Sequence, residues 1–466
     1  MESLSAPQLN YRKAIYNHPS YRYNKVLMQT GGNSITFSQA GGSEYIFEIP
    51  VSTFNLSKSY FTMQVRLPTG PNPGYNWLYQ NTCPFFRQIQ LYTRGGQYIC
   101  DLNEAANYLK IVVNAETKLE EFLTFPMNEY AQNVALGAAQ ATPGLIGAGS
   151  FFQRNNSTLA NNQGGDARPG MGVVGSTMAY TEPKYVLRST VEAGGNESVM
   201  VVNFRIPLGL IKNTIFELDK DLYFGEVILL RLVTHAYTKI FYTGTNAANP
   251  DTGNNAAAAA PTSADVALYV AVEKDLNIVN QLMNQMQTSG IQLVIPYVWY
   301  SKFNPGGATT SQNVSIRYNR GQGVRLRKIY HSVFHNTESS NTAYDHNNVN
   351  GAKVVEYYTL LNNNRLQEFN VDCTHLDDYS LVKDKIEGSV LQEADIYQYN
   401  WFHLEDFTGI YEIDPEDKNN IIVGLPLETE QKWDFYSRTA NAQYNHYTYA
   451  IVERNLSISP AGVVVS

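Results

Sequence analysis

The stretch "IQLVIPYVWY", Ile291–Tyr300, begins a second set of strands in a chain that has already completed one. It is a near-continuous run of apolar, β-branched and ring side chains, the composition of a buried strand. Just before it, "DLNIVNQLMNQMQTSG" reads as a helix with Leu276, Val279, Leu282, Met283 and Met286 on one face. Gly290 is placed to end that helix. Beyond it, "QNVSIRYN", "GVRLRKIYHSVF" and "KVVEYYTLL" read as three further strands. A helix from Asp377 to Glu387 ends at Gly388, and "ADIYQYNWFHL", "NIIVGLPLE" and "NHYTYAIVERNLSIS" complete the set.

The same order of elements runs through the first half. "YFTMQVRLP" sets Phe61, Met63, Val65 and Leu67 on one face and Thr62, Gln64 and Arg66 on the other. That period of two is the mark of a half-buried strand. "RQIQLYTRGGQYICDL" repeats it as a hairpin turning at Gly95-Gly96. A helix follows over 104–123, with Asp101 and Asn103 as candidate caps, then a polar region over 124–182. Strands resume in "VMVVNFRIPL", "EVILLRLVTHA" and "DVALYVAVEKDL", with a low-complexity insertion, 243–265, between the last two. Late in the two strand series stand the related phrases "FRIPLG", 204–209, and "VGLPLE", 423–428. Each half holds roughly eight strands, and the reading is two tandem β-sandwich domains. The boundaries fall at an N-terminal arm, 1–43, a first sandwich with long inserted loops and a linking helix, 44–290, and a second sandwich, 291–466.

Composition narrows the function. Of 466 residues only 16% are charged, while tyrosine occurs 33 times. Interfaces lose charge and gain tyrosine, although β-rich folds favour tyrosine too. The net charge of −8 opposes nucleic acid as the main ligand. Three cysteines, Cys83, Cys100 and Cys373, suggest neither a disulfide framework nor a zinc cluster. The first twenty residues have no apolar core of signal-peptide length, and "EVILLRLV" is too short to span a bilayer. The expectation is a protein made inside the cell and not secreted.

No stretch makes a credible active site, and no enzyme activity, cofactor or metal is expected. "GMGVVG", Gly170–Gly175, has the glycine spacing of a dinucleotide fingerprint, but "NNQGGDARP" before it is no strand and "STMAYTEPKY" after it is no helix. It reads as a flexible loop. "CTHLDD" offers Cys373, His375, Asp377 and Asp378 but lacks the paired ligands of a zinc site, and Asp377 reads as a helix cap. His331, His335 and His346 read as solvated loop histidines. Glu120-Glu121 reads as a solvated helix face and Glu405-Asp406 as a strand end; sequence adjacency does not set two carboxyls across a sugar. The sequons at Asn55, Asn155, Asn156, Asn196, Asn313 and Asn455 read as coincidence in an asparagine-rich chain.

Two tandem eight-stranded sandwiches with interposed helices, long loops and no active site form a combination with a known parallel. Over about 44–466, the chain resembles the double jelly-roll major capsid proteins of icosahedral double-stranded DNA viruses, the type of large eukaryotic DNA viruses, virophages and polinton-like viruses. Stretches such as "IPLGLIKNTIFELDKDLYFGEVILLRL" and "QKWDFYSRTANAQYNHYTYAIVERNLSIS" carry the likeness. The resemblance implies an all-β fold of two jelly rolls. It also implies a homotrimeric pseudo-hexagonal capsomer in a virion shell, with minor capsid and penton proteins and an internal membrane as partners. No sequence-specific contact with nucleic acid is implied. In that setting the basic arm, with Arg12, Lys13, Arg22 and Lys25 against one Glu2 and with Tyr16 and Tyr23 among its tyrosines, becomes an assembly arm beneath the capsomer. The competing reading is a β-sandwich carbohydrate-binding or host-attachment protein, which would show exposed tryptophan clusters.

Overall fold

Alternation along one long strand organises the first half. In Phe54–Arg66, Phe61, Met63 and Val65 are at most 1% exposed, while Tyr60, Thr62 and Gln64 face outwards, half-buried. The structure, a computed structural model, describes residues 21–29, 32–66, 75–78, 85–116, 171–174, 177–180, 185–188, 201–237, 240–244, 255–256, 262–304, 310–335, 354–373, 377–386, 401–413, 421–439 and 444–466.

Eight strands build the first half: β1 Tyr21–Val26, β2 Glu44–Ile49, β3 Phe54–Arg66, β4 Phe86–Thr93, β5 Tyr98–Asn103, β6 Val201–Pro207, β7 Ile228–Thr234 and β8 Thr262–Glu273. They pair as two antiparallel sheets, β1-β8-β3-β6 and β2-β7-β4-β5. The second half has β9 Ile291–Phe303, β10 Ser311–Tyr318, β11 Arg325–His335, β12 Val354–Leu361, β13 Val371–Asp372, β14 His403–Asp406, β15 Gln431–Thr439 and β16 Tyr444–Ser459. Its sheets are β9-β16-β11-β14 and β10-β15-β12-β13. Adding eight to each strand of the first half reproduces the second. This interleaved order, wound through two packed sheets, is a jelly roll, and the chain carries it twice.

Each roll places one helix after its fifth strand: α1, Ala105–Glu116, in the first and α3, Asp377–Lys383, in the second. Between the rolls lies α2, Leu276–Thr288, capped by the Asp275 side chain, which accepts from Asn277 N. Gly290 ends it as its sequence position suggested: at φ +74°, a conformation glycine adopts without strain, its N–H donates to Gln285 O at 3.0 Å. The expected helix face is only partly used. Met286 is buried, but Leu276 is 71% exposed.

Several expectations need correcting. The arm expected over 1–43 ends earlier, because Tyr21–Val26 pairs along its whole length with β8, and Ile35 and Phe37 lie in the core. An edge strand with one open face can carry Arg22, Tyr23 and Lys25, so its charges concealed it. Asp101 and Asn103 are not helix caps: both sit in β5, where Gln88 Nε2 donates to them at 3.1 and 2.8 Å. The supposed loop at "GMGVVG" contains a strand, Met171–Val174, paired with Thr177–Tyr180. Around the low-complexity insertion, Phe241–Gly244 pairs with Asn255–Ala256, while 245–254 and 257–261 lie outside the described residues. Glu120, Glu121, Glu387, Gly388 and the sequons at Asn155, Asn156 and Asn196 lie outside them too. Asn55 is 1% exposed and donates to Asp219 at 2.8 Å, which closes that sequon to modification.

Cys100 and Cys373 are buried free thiols in different rolls, and Cys83 lies outside the described residues. Thermal melts with and without reductant are expected to coincide. A large drop in midpoint on reduction would reveal a structural disulfide.

Candidate assembly interface

The residues that looked chemically active are packed into the second roll rather than presented to solvent. Among the described residues, no group of three His, Cys, Asp or Glu side chains is placed to hold a metal. Asp378 accepts from Trp401 Nε1 and from Tyr379 N, and burial pushes its carboxyl up to about 6. Cys373 lies against it, its thiol pushed well up by burial, and His375 lies outside the described residues. Asp377, exposed, is the first residue of α3.

His331 corrects the loop-histidine reading. Its position in β11 points it into the core, where it is fully buried and stacked on Phe435 with ring centroids 3.7 Å apart. Its Nδ1 meets Thr448 Oγ1 and its Nε2 meets His446 Nδ1, both at 2.9 Å. One imidazole of the pair donates its N–H and the other accepts. Nearby, His403 Nδ1 lies 3.1 Å from the Tyr357 hydroxyl and its Nε2 3.4 Å from Glu405. Burial holds all three imidazoles below their ordinary range: His331 well below, His446 down to about 3, and His403 despite the opposing pull of Glu405. Uncharged and sealed from solvent, these rings are packing, with no face a substrate can reach. His335 lies in β11, and His346 is outside the described residues.

The tryptophans answer the competing carbohydrate reading in part. Trp401 and Trp433 are fully buried, and Trp299 donates to Gln322 O at 2.7 Å from a half-buried position. A groove of about 350 Å³ crosses the outer side of β10, β15 and β12, lined in part by Tyr358 and Tyr436, whose stacked rings lie 4.7 Å apart. Its charged pair is already closed, with Arg438 Nε donating to Glu356 at 2.9 Å.

Among the described residues, an organised polar site that sequence reasoning missed is the joint between the rolls. Glu116, at the end of α1, is 11% exposed and meets Lys328 Nζ at 3.0 Å. Tyr330 donates its hydroxyl to the same carboxylate, and Asn213 Nδ2 donates to its other oxygen at 2.8 Å. Alongside, Tyr449 packs against Tyr108 of α1 at 5.1 Å and donates to Glu104 O at 3.3 Å. Lys328, Tyr330 and Tyr449 stand on the outer face of the β16-β11 pair, so the helix side of the first roll seats on the sheet face of the second.

Of the predicted arm residues, Tyr23 and Lys25 fall on the outer face of the first roll's sheet, and Arg22 lies in the same strand. Tyr23 is 46% exposed and packs on Tyr60, which stacks on Tyr269 at 4.9 Å and lies under the Arg205 guanidinium at 3.9 Å. Arg12, Lys13 and Tyr16 are outside the described residues.

No protein-family model matches the chain, and no curated protein matches it in sequence. Solved structures do match in shape. The PBCV-1 protein VP54, fitted into a reconstruction of the virophage Sputnik, superposes with a TM-score of 0.52 at 10% identity, covering 96% of each chain. The quasi-atomic model of the PBCV-1 virus capsid gives 0.52 at 9% identity, again over 96% of each. The mavirus major capsid protein gives 0.49 at 10% identity, over 95% of this chain and 90% of that one. At such identity the likeness is one of fold. The strand order of both halves and the match over nearly the whole chain agree: this chain has the double jelly-roll fold of a viral major capsid protein.

Proposed function

We propose that the chain is the major capsid protein of an icosahedral double-stranded DNA virus and acts by self-assembly rather than catalysis. The observation that carries this reading is the duplicated eight-strand order, matched over 96% of its length by a capsid protein. Three copies would join into a pseudo-hexagonal capsomer that tiles the virion shell with minor capsid and penton proteins, over an internal membrane. Low charge and abundant tyrosine support a role built on large protein contacts.

The assembly arm of this proposal is shorter than the sequence suggested. Tyr21 onward belongs to β1, so Arg12, Lys13 and Tyr16 remain as residues that would reach minor capsid proteins or anionic headgroups. Each basic residue near an anionic bilayer contributes roughly 1 kcal/mol, weak singly and strong when many copies act together. Deleting residues 2–20 is expected to spare folding and trimer formation while closed shells fail to form. Electron microscopy of the expressed protein checks both points. Full-length protein should give capsomers of hexagonal outline and closed shells; failure of the full-length protein to form either contradicts the capsid reading. Normal shells from the truncated protein would remove the arm from assembly.

A further inference from the structure

The outer face of the β10-β15-β12 sheet in the second roll is built differently from its counterpart in the first. Two rows of side chains cross it. In one, Asn313 stands opposite Tyr436 and Tyr436 opposite Tyr358; in the other, Ser311 stands opposite Arg438 and Arg438 opposite Glu356. The groove of about 350 Å³ follows these rows. The register of β12 on β15 shifts between Val354 and Glu356, and such a bulge re-aims the side chains beside it. On the equivalent sheet of the first roll, Arg231 donates to Glu44 at 3.2 Å and to Gln90 at 2.6 Å, and Gln90 donates to Asp101 at 2.8 Å. Those polar groups satisfy one another across β2, β7, β4 and β5.

The groove instead presents a ring. The Tyr358 and Tyr436 planes are 6° from parallel, and their 4.7 Å separation is the spacing of neighbouring strands. Both rings therefore stand upright on the sheet. Arg365, in the short strand beside β12, covers the far side of Tyr358 at 4.3 Å and donates to Asn370. The stack ends on the face of Tyr436 turned towards β10 and Asn313. An aromatic face is electronegative and attracts polarised C–H groups. Around it stand the Asn313 and Asn370 amides and the Ser311 hydroxyl, all exposed and able both to donate and to accept. Arg438 and Glu356, paired at 2.9 Å, cancel in charge. A phosphate only accepts and an ammonium only donates, so neither matches a neutral lining of mixed donors and acceptors. A hydroxyl-rich, uncharged ring with an apolar face does, and the volume lies at the small end of the roughly 300–1,000 Å³ range of ligand sites.

We propose that this groove binds an uncharged pyranose, with one face of the sugar lying on Tyr436 and its hydroxyls reaching Asn313, Ser311 and the Glu356–Arg438 pair. The site does not depend on the self-assembly reading. The joint between the rolls uses the outer face of the β16-β11 pair, in the other sheet, so a single folded chain carries the groove whole. One ring platform in an open groove gives weak binding, at roughly millimolar Kd. Repeated on many assembled copies, the same site would hold a glycan-bearing surface far more tightly. A nucleobase could stack on the same ring, but Arg438, held by Glu356, leaves its phosphate no surplus cation in the lining.

Saturation-transfer NMR on the full chain tests it. The probes are the methyl pyranosides of glucose, galactose, mannose and N-acetylglucosamine, with adenosine monophosphate and glucuronate as charged alternatives. At least one methyl pyranoside should receive saturation, strongest on the C–H protons of one ring face. Asn313→Arg, at an exposed position on the edge strand, fills the groove without touching the core and should raise the Kd by at least about tenfold. Tyr436→Ala should do the same, while Tyr436→Phe keeps the ring and should bind within about twofold of wild type. The proposal is overturned by no transfer to any pyranoside of the set, or by transfer to the charged probes alone. It is equally overturned by wild-type binding in Asn313→Arg or Tyr436→Ala, or by as large a loss in Tyr436→Phe as in Tyr436→Ala. None of these outcomes bears on the capsid reading, which sedimentation of the unaltered chain decides.

Discussion

Replacing Glu116 by alanine is expected to lower stability by about 3–5 kcal/mol, the usual consequence of removing one partner from a buried ion pair. The variant takes from Lys328, itself 11% exposed, the carboxylate 3.0 Å away, and takes the acceptor from the Tyr330 hydroxyl and the Asn213 amide. The loss falls at the joint, so the rolls should also separate as unfolding units, giving two transitions in a denaturant titration where the intact chain gives one. Adding Lys328→Met to the variant should recover part of the loss, because the second change removes the buried charge that the first left behind. A single variant within 1 kcal/mol of wild type, roughly the value of a surface pair, would show that the joint contributes little.

Acidification should weaken the second roll. In the unfolded chain an imidazole protonates near pH 6.5, whereas burial keeps His331 and His446 neutral far below that, so unfolding takes up protons. Their stabilisation is complete above about pH 6.5 and lost progressively as the pH falls beneath it. Asp378 acts in the opposite sense. With its carboxyl at about 6, the folded state holds a proton that the unfolded chain releases down to about pH 4, which offsets one imidazole over that window. Lys385 and Glu405 face His403, whose own shift adds in the direction of acid lability. Two imidazoles against one carboxyl leave an uptake of about one proton, or roughly 1.4 kcal/mol per pH unit, giving a loss of about 2–3 kcal/mol from pH 6.5 to 4.5. Glu453, raised by burial, and Glu405, buried yet lowered beside His403 and Lys385, act in opposite senses at the acid end. Urea midpoints across that range measure it. His331→Gln, which can still meet Thr448 and His446, should flatten the slope by about one proton; an unchanged slope would remove the pair from the titration.

The strands of the fold were legible because their information is local. Phe61, Met63 and Val65 declare an inner face by spacing alone, and the helix ending at Gly290 declares its stop by a residue that tolerates a positive φ. What stayed hidden depends on separation in the chain. Glu116 and Lys328 lie 212 positions apart, and His331 and His446 lie 115 apart, so no window of sequence contains either pair. His331 was misread for a second reason: a polar ring breaks the apolar alternation that marks an inward face, and only its partners Thr448 and His446 make the burial tolerable. Tyr21–Val26 was hidden by its edge position, which lets charged residues occupy a strand. One signal for the joint was available. Setting the halves side by side aligns Lys58-Ser59-Tyr60 with Lys328-Ile329-Tyr330, each opposite a tyrosine on the eighth strand.

Equilibrium sedimentation of the purified chain at micromolar concentration tests self-assembly most directly. The capsid reading predicts a mass of about three times 52.3 kDa, stable to dilution, and a chain that stays at 52.3 kDa throughout would contradict it.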